Sequence, residues 1–272
     1  MDLTLKNSVK KLLKEKQTSL LKRLGQNFLV DKSAIKKIID AAQLRPEDMV
    51  LEIGPGIGNL TEELTKRSKK VIAVEKDKKI AEILKEVLKD RKNVKIINAD
   101  ILEYDCPFEK FKVVANLPFY ITSPIIRNFL ESKVRPEKMI LVVQKEVAQR
   151  ICSKPPKMNL LALSVQFYAK PKIIFYISKK SFWPKPKVDS AIIEIIPKPS
   201  LVGDKDLFFR IAKAGFSHPR KQLINNLSEG LKINKEKTVK WLKNNQLKKT
   251  QRAETLILED WKRLVETFTI LE

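Results

Sequence analysis

What this 272-residue chain lacks narrows its chemistry first. Its one histidine is His218, which excludes a histidine-based catalytic triad and a multi-histidine metal site; a place in a surface loop is expected for it. Two cysteines, Cys106 and Cys152, supply neither a disulfide framework nor a metal-ligand spacing. No bound metal is therefore expected, and a reducing cytoplasm is the expected setting. No apolar run approaches the roughly 18 residues of a membrane span. The N-terminal lysines are followed by no apolar block, so neither a membrane association nor a secretory signal is expected. Asp2 and Glu15 in that lysine-rich start speak against an organelle-targeting segment. Internal repeats and low-complexity tracts are absent.

Acid is scarce beside base: 32 Asp and Glu against 55 Lys and Arg, a formal net charge of +23. Such an excess favours a polyanionic partner through counterion release. The charge is uneven. Residues 145–187 hold ten Lys or Arg and one acid, Glu146, and residues 1–37 hold ten against three, while 47–110 is near balance. Hydrophobic residues make up 43%, enough for a globular core. The length suits one large domain with a small appendage; a monomer is the default expectation.

Periodicity predicts a helix over Asp31–Leu44, capped by Asp31 or Ser33 and ended by Pro46, with Ile35, Ile38, Ile39 and Ala42 on one face. A buried strand over 49–53 runs into the tight loop Gly54-Pro55-Gly56-Ile57-Gly58, and a helix with Leu60 and Leu64 inward follows. Strands at 71–74, 94–97, 113–115 and 139–143 alternate with helices over 77–89 and from Ser123-Pro124, where proline suits the first helical position. Two more strands are expected at 173–177 and 191–196. Short Val- and Ile-rich strands alternating with helices imply an α/β fold, a mostly parallel sheet with helices on both faces. Pro197, Pro199, Ser200 and Gly203 look like a linker, after which only helices are expected. The expected division is thus 1–198, an α/β domain with a basic N-terminal segment, and 199–272, a small helical domain.

Three constellations carry chemistry. Glu52-Ile53-Gly54-Pro55-Gly56-Ile57-Gly58 leads from a strand end into a helix, and glycines there let the backbone turn sharply and approach a ligand. Glu75 ends the next strand, about 20 residues on, where an acid can take two ribose hydroxyls. Together they point to a nucleoside-containing cofactor, either a dinucleotide or S-adenosylmethionine. The G-x-G-x-G spacing, and Asp100 at the end of the third strand as an acceptor for an adenine amino group, favour the second. Finally Asn116-Leu117-Pro118-Phe119-Tyr120 follows the fourth strand, where open α/β sheets place their ligands. It offers a carboxamide acceptor, a turn stiffened by proline with the Leu117 carbonyl facing the cavity, and rings for stacking.

That string, with Ile121-Thr122-Ser123-Pro124 after it, resembles the catalytic motif of the rRNA adenine N6,N6-dimethyltransferases, most closely the small-subunit group known from kasugamycin resistance. Leu24-Gly25-Gln26-Asn27-Phe28-Leu29 is similar to the family's N-terminal cofactor motif, 182–190 to its late active-site motif, and Arg252-Ala253-Glu254 to a signature of its helical domain. The resemblance covers nearly the whole chain. It implies a Rossmann-like S-adenosylmethionine-dependent methyltransferase domain with a small all-helical C-terminal domain. It implies transfer of methyl groups to two adjacent adenosines near the 3′ end of small-subunit rRNA, within an immature small ribosomal subunit. By the same resemblance Asn116 and Leu117 accept the amine hydrogens, and Tyr120 and Phe182 sandwich the base. Gln26, Asn27 and Leu29 close over the cofactor, Gly54 and Gly56 approach its methionine part, Glu75 holds the ribose and Asp100 the adenine, with Ile101 packed on that ring; Asn116 also faces the cofactor. The basic stretch around Phe182, with Lys185 and Lys187, is expected on the RNA-facing rim, and Arg220 and Lys221, at the start of a helix, against phosphates.

The chain departs from the family at Phe119, where tyrosine is more usual, at 154–160, which lacks the usual glycine and aromatic, and at Pro219, where a second arginine is common. The rivals are a large-subunit adenine methyltransferase of the macrolide-resistance type, a non-catalytic RNA-binding assembly or transcription factor on the same fold, and a nicotinamide-dependent oxidoreductase. The last has no explanation for the 116–120 loop or the charge.

Overall fold

The computed structural model describes residues 2–18, 25–118, 121–199 and 204–268. The chain forms two compact units: Met1–Ala148 with Pro171–Pro197, and Gln149–Lys170 with Lys198–Glu272.

The first unit opens with α1 (Lys6–Glu15), the short β1 (Phe28–Leu29) and α2 (Lys32–Ala42). Asp31 caps α2, its carboxylate accepting from the Ser33 and Ala34 N–H groups, which have no partner within the helix. The helix stops at Gln43, in the left-handed region at φ 46°, short of Pro46. Its Ile35, Ile38, Ile39 and Ala42 stripe packs on the sheet through Val50, Val71, Val114 and Ile140.

Then β2 (Met49–Ile53), α3 (Asn59–Thr65), β3 (Lys70–Glu75), α4 (Lys78–Val87), β4 (Val94–Asn98), β5 (Lys112–Asn116), α5 (Thr122–Glu131) and β6 (Lys138–Gln144) follow as the alternation predicts. α5 begins at Thr122, so Pro124 sits third rather than first. In the first turn its missing N–H still costs no helical bond. After α6 (Lys145–Ile151) and α7 (Leu160–Tyr168) come β7 (Ala169–Ile177), β8 (Phe182–Trp183) and β9 (Ser190–Pro197).

The main sheet has seven strands in the order β4-β3-β2-β5-β6-β9-β7. β4, β3, β2, β5 and β6 run parallel, with Leu51 facing Ile72 on one side and Val113 on the other. β9 is antiparallel to β6. Chain order reverses direction across the sheet between β2 and β5, so their carboxyl ends splay apart and leave a crevice, the usual ligand position of such sheets. β2, β3, β5 and β6 are buried on both faces, which is why they read as apolar runs, broken in β2 by the buried Glu52.

In the second unit α6 ends and α7 precedes β7, followed by α8 (Lys205–Gly215), α9 (Leu223–Leu231), α10 (Lys235–Asn244) and α11 (Leu258–Glu266). α7 (LLALSVQFY) has no polar face, so it offers no amphipathic signal to sequence reading. Phe167, Tyr168, Phe208 and Phe209 form an aromatic cluster here, with Phe167 and Phe208 4.2 Å apart. Arg220 and Lys221 do not start a helix; they lie in the turn before α9, whose N-cap is Gln222. His218 is exposed in that turn. No helix among the described residues is long and apolar enough to cross a membrane.

Candidate active site

A cavity opens at the carboxyl ends of β2, β3, β4 and β5, entirely within the first unit. Its floor is the Gly54–Gly58 loop. Gly54 and Gly56 hold φ of +64° and +58°, a region glycine alone adopts without steric cost. A Cβ at Gly56 would lie 2.9 Å from the Phe28 ring, whereas one at Gly54 would meet nothing nearer than 3.8 Å. Gly56 is thus demanded by packing as well as by dihedral, and Gly54 by dihedral.

Two carboxylates lie beneath this loop. Glu75, at the end of β3, accepts from the Gly56 N–H at 3.2 Å and the Asp77 N–H at 2.9 Å. Burial raises its pKa against those two donors. Glu52, in β2, is 1% exposed, and its Oε2 has no hydrogen-bond partner among the described residues. Burial, with the charge of Glu75 adding to it, pushes the Glu52 carboxyl up to about 8. An unsatisfied buried acceptor is costly, so the pair favours a ligand that brings donors or positive charge.

Asp100 lies just beyond β4. Its Oδ2 takes the Lys76 ammonium at 2.6 Å and its Oδ1 the Leu102 N–H at 3.1 Å. The Lys76 bond holds the carboxyl below the usual carboxylate range. Each oxygen retains a lone pair for a further donor. Ile101, 4% exposed, adds an apolar wall.

The segment 25–29 closes the opposite side. β1 pairs with β8, Leu29 opposite Phe182 and Phe28 opposite Trp183. Gln26 Nε2 donates to Asp77 Oδ2 at 2.8 Å, while Asp77 Oδ1 caps α4. Asn59 Nδ2 donates to the carbonyls of both Leu3 and Leu29 at 2.9 and 2.7 Å. The N-cap of α2 is Asp31 and not Gln26 or Asn27; Asn27 Nδ2 bonds the Gly25 carbonyl.

Asn116 ends β5, and its Nδ2 donates to the Asn27 carbonyl at 2.9 Å. That bond fixes which way round the amide sits, leaving Oδ1 with no partner among the described residues. The Leu117 N–H bonds the Val142 carbonyl at 3.1 Å, so the turn is tied to β6. Phe182 reaches the cavity wall from within the core, 2% exposed, packed with Leu29, Val114, Ile177 and Ile192. Tyr120 and Phe119 lie outside the described residues, as does Leu24.

The structure therefore gathers Gln26, Asn27, Leu29, Gly54, Gly56, Glu75, Asp100, Ile101, Asn116, Leu117 and Phe182 around one cavity. Lys185 and Lys187 are exposed in the segment after β8, and Lys179 Nζ bonds the Lys187 carbonyl. Arg220 and Lys221 are exposed in the second unit, with Lys221 paired to Glu229 at 3.2 Å. Sequence reasoning missed Glu52, Lys76 and Asn59 as site residues and read Asp77 only as a helix start. Glu52 stood in view beside Gly54, but strand periodicity assigns it to the core; the other contacts are set by folding.

A crevice at the reversal of a mostly parallel sheet, lined by a glycine loop and strand-end acids, defines a Rossmann-like methyltransferase fold. Two solved structures share it. The dimethyladenosine transferase of Plasmodium falciparum superposes with a TM-score of 0.79 at 26% identity, covering 88% of this chain and 96% of that one. The 23S rRNA methyltransferase ErmE gives 0.74 at 28%, covering 88% and 98%. Residues 17–269 match the model of the ribosomal RNA adenine dimethylase family, and the chain belongs to that family. The ribosomal RNA small subunit methyltransferase A of Dehalococcoides mccartyi (strain CBDB1) is 46% identical over 255 residues, 89% of this chain and 86% of the relative. Its namesake in Alkaliphilus metalliredigens is 40% identical over 259 residues, 90% of each.

Proposed function

We propose that this protein transfers methyl groups from S-adenosylmethionine to the N6 amine of two adjacent adenosines near the 3′ end of small-subunit rRNA, giving N6,N6-dimethyladenosine. The substrate is the immature small ribosomal subunit, in the cytoplasm, and the enzyme acts as a monomer. The relatives named for small-subunit methylation, at 46% and 40% identity, support this reading over the large-subunit one. The observation that carries the chemistry is the Asn116 amide, pinned through Nδ2, with Oδ1 unpartnered among the described residues and the side chain lining the same cavity as the glycine loop.

The cavity fits the cofactor. Glu75 takes the ribose hydroxyls, whose donors offset the burial that raises its pKa. Asp100 takes the adenine amino group on its remaining lone pairs, Ile101 packs on the ring, and Gly54 and Gly56 admit the methionine part. Oε2 of Glu52, without a partner among the described residues, is left to accept an N–H from that part. Gln26, Asn27 and Leu29 close the site. Bound S-adenosylmethionine supplies an electrophilic methyl on its sulfonium.

The protein's own task is to make a poor nucleophile better. The adenine amine is weak because its lone pair is delocalised into the ring. Asn116 Oδ1 and the Leu117 carbonyl accept its two hydrogens and draw the nitrogen toward tetrahedral geometry, with the lone pair aimed at the methyl. Positioning and preorganised dipoles do most of the work. The alkylated amine is acidic, so its proton passes from the acceptor pair to solvent without a strong base. The base leaves its stack to enter, with Tyr120 and Phe182 on either side of it. Lys185 and Lys187, and in the second unit Arg220 and Lys221, contact phosphates.

The test is incubation with labelled S-adenosylmethionine and undermethylated small subunits, then digestion of the RNA. N6,N6-dimethyladenosine near the 3′ end is expected. Label appearing only in large-subunit RNA would move the chain to the rival substrate, and no transfer to either would remove the catalytic assignment.

A further inference from the structure

β7 is the outermost strand of the main sheet, and three consecutive large apolar residues on it are exposed: Ile174 at 37%, Phe175 at 40% and Tyr176 at 45%. Edge strands are normally blunted by charge, because open N–H and C=O groups recruit other chains. Exposed aromatic rings work against that protection, so their presence needs a separate reason. Each ring carries a lysine. Lys37, from α2, lies 3.2 Å from the Phe175 centroid, and Lys145, at the start of α6, 5.3 Å from that of Tyr176. Successive strand residues point to opposite faces, so one ring–lysine pair flanks the open edge on either side. Lys172 is exposed on the same strand. On the neighbouring β9, the carboxylate of Glu194 is already taken up by Lys138 at 2.9 Å.

Lys145 is held in place. Its N–H bonds the Asp189 carbonyl at 2.9 Å, and the Asp189 carboxylate takes the Lys179 N–H at 2.9 Å. Lys145 and Lys179 are thus anchored on one residue. Ile177, beside Tyr176, packs in the same core cluster as Phe182, which lines the cavity. The edge is therefore continuous with the active-site wall but is not part of it.

We propose that the β7 edge is a second RNA-docking surface, where unpaired bases stack on Phe175 and Tyr176 while Lys37 and Lys145 meet the flanking phosphates. Rings alternating with cations are the chemistry of single-strand binding: each ring accepts any base, and the cations track the backbone. The chain's charge of +23 selects a polyanion over a protein strand adding to the edge. The proposal rests on RNA being the substrate, and it adds a surface outside the methyl-transfer pocket. A strand crossing the edge would seat one base on each ring and so hold the RNA beside the cavity.

The test compares the full-length protein's affinity for a labelled oligouridylate and for an abasic strand of the same length and charge. Uracil has no exocyclic amine to engage Asn116. The wild type is expected to prefer the base-bearing strand by about tenfold or more. The double variant Phe175→Ala/Tyr176→Ala should bind both strands as the wild type binds the abasic one, with an unchanged salt slope. S-adenosylhomocysteine affinity, by calorimetry, should be unaltered in that variant, which shows that it is folded. Lys37→Met/Lys145→Met should instead weaken both strands and reduce the salt slope by about 1.4. A wild type without preference, or a preference surviving in the ring variant, overturns the proposal and makes protein strand addition the reading to test. Loss of preference in a protein that fails to methylate small subunits would sink the proposed methyl transfer and leave this surface standing.

Discussion

An asparagine can activate an amine only if its amide is held one way round, since its two ends differ in sign. In Asn116 the hydrogen bond from Nδ2 to the Asn27 carbonyl does this. Asn116→Ala should lower kcat by about 100-fold or more, by analogy with removing one preorganised partner of a developing charge. S-adenosylhomocysteine affinity should change little. Single-turnover methylation beside calorimetry measures both, and undiminished turnover would take Asn116 out of the mechanism. Glu52 gives a second prediction at this scale. The folded protein holds its proton up to about pH 8, while an ordinary glutamate carboxyl releases it near 4.5. Between those values the native state binds the extra proton, so the stability it contributes is full below about 4.5 and is lost as pH rises through 8. Burial shifts Glu75 in the same direction. Thermal melts of the ligand-free protein from about pH 5 to pH 9 should show a decline that Glu52→Gln reduces, by up to about 4 kcal/mol. A parallel decline in the variant would assign the effect elsewhere.

At the scale of elements, the site is a set of strand ends tied to one another by side chains that sequence spacing does not reveal. Asp77 caps α4 with one carboxylate oxygen and holds Gln26 with the other, across 51 residues of chain. Asp77→Ala should cost about 1 kcal/mol of stability as a lost cap. It should also raise KM for S-adenosylmethionine roughly tenfold by removing the hydrogen bond that orients the Gln26 amide. Gln26→Ala should reproduce the second effect without the first, and the double variant should add little; additive KM changes would show that the two residues act separately. The strands and helices were legible because each carries a local signal, a two-sided apolar run or a stripe such as Ile35–Ile38–Ile39. The glycine loop and the strand-end acids were legible because open sheets bind at strand carboxyl ends. α7 was not, because it is apolar all round, nor was the membership of 149–170 in the second unit, which is a matter of tertiary packing. The Asn27–Asn116 bond joins residues 89 positions apart, and no periodicity encodes such a pairing.

Across the whole molecule, a net charge of +23 sets how binding responds to salt, but not every cation contributes alike. A lysine already paired to a protein carboxylate has released part of its counterion atmosphere, and it must leave that partner to meet a phosphate. Lys221 is so paired with Glu229 at 3.2 Å, whereas Lys185 and Lys187 are exposed and form no ion pair among the described residues. Neutralising Lys185 and Lys187 together should therefore lower the slope of log K against log salt by about 1.4 on a single strand or about 1.8 on a duplex. Lys221→Met should lower it by less than a full contact, and Glu229→Gln should strengthen RNA binding by freeing Lys221. An exposed pair of this kind is worth at most about 1 kcal/mol, so the gain is bounded near fivefold. Titrations of small-subunit rRNA at several salt concentrations separate these cases: a weaker complex in Glu229→Gln would mean that Lys221 serves the turn before α9 rather than the RNA.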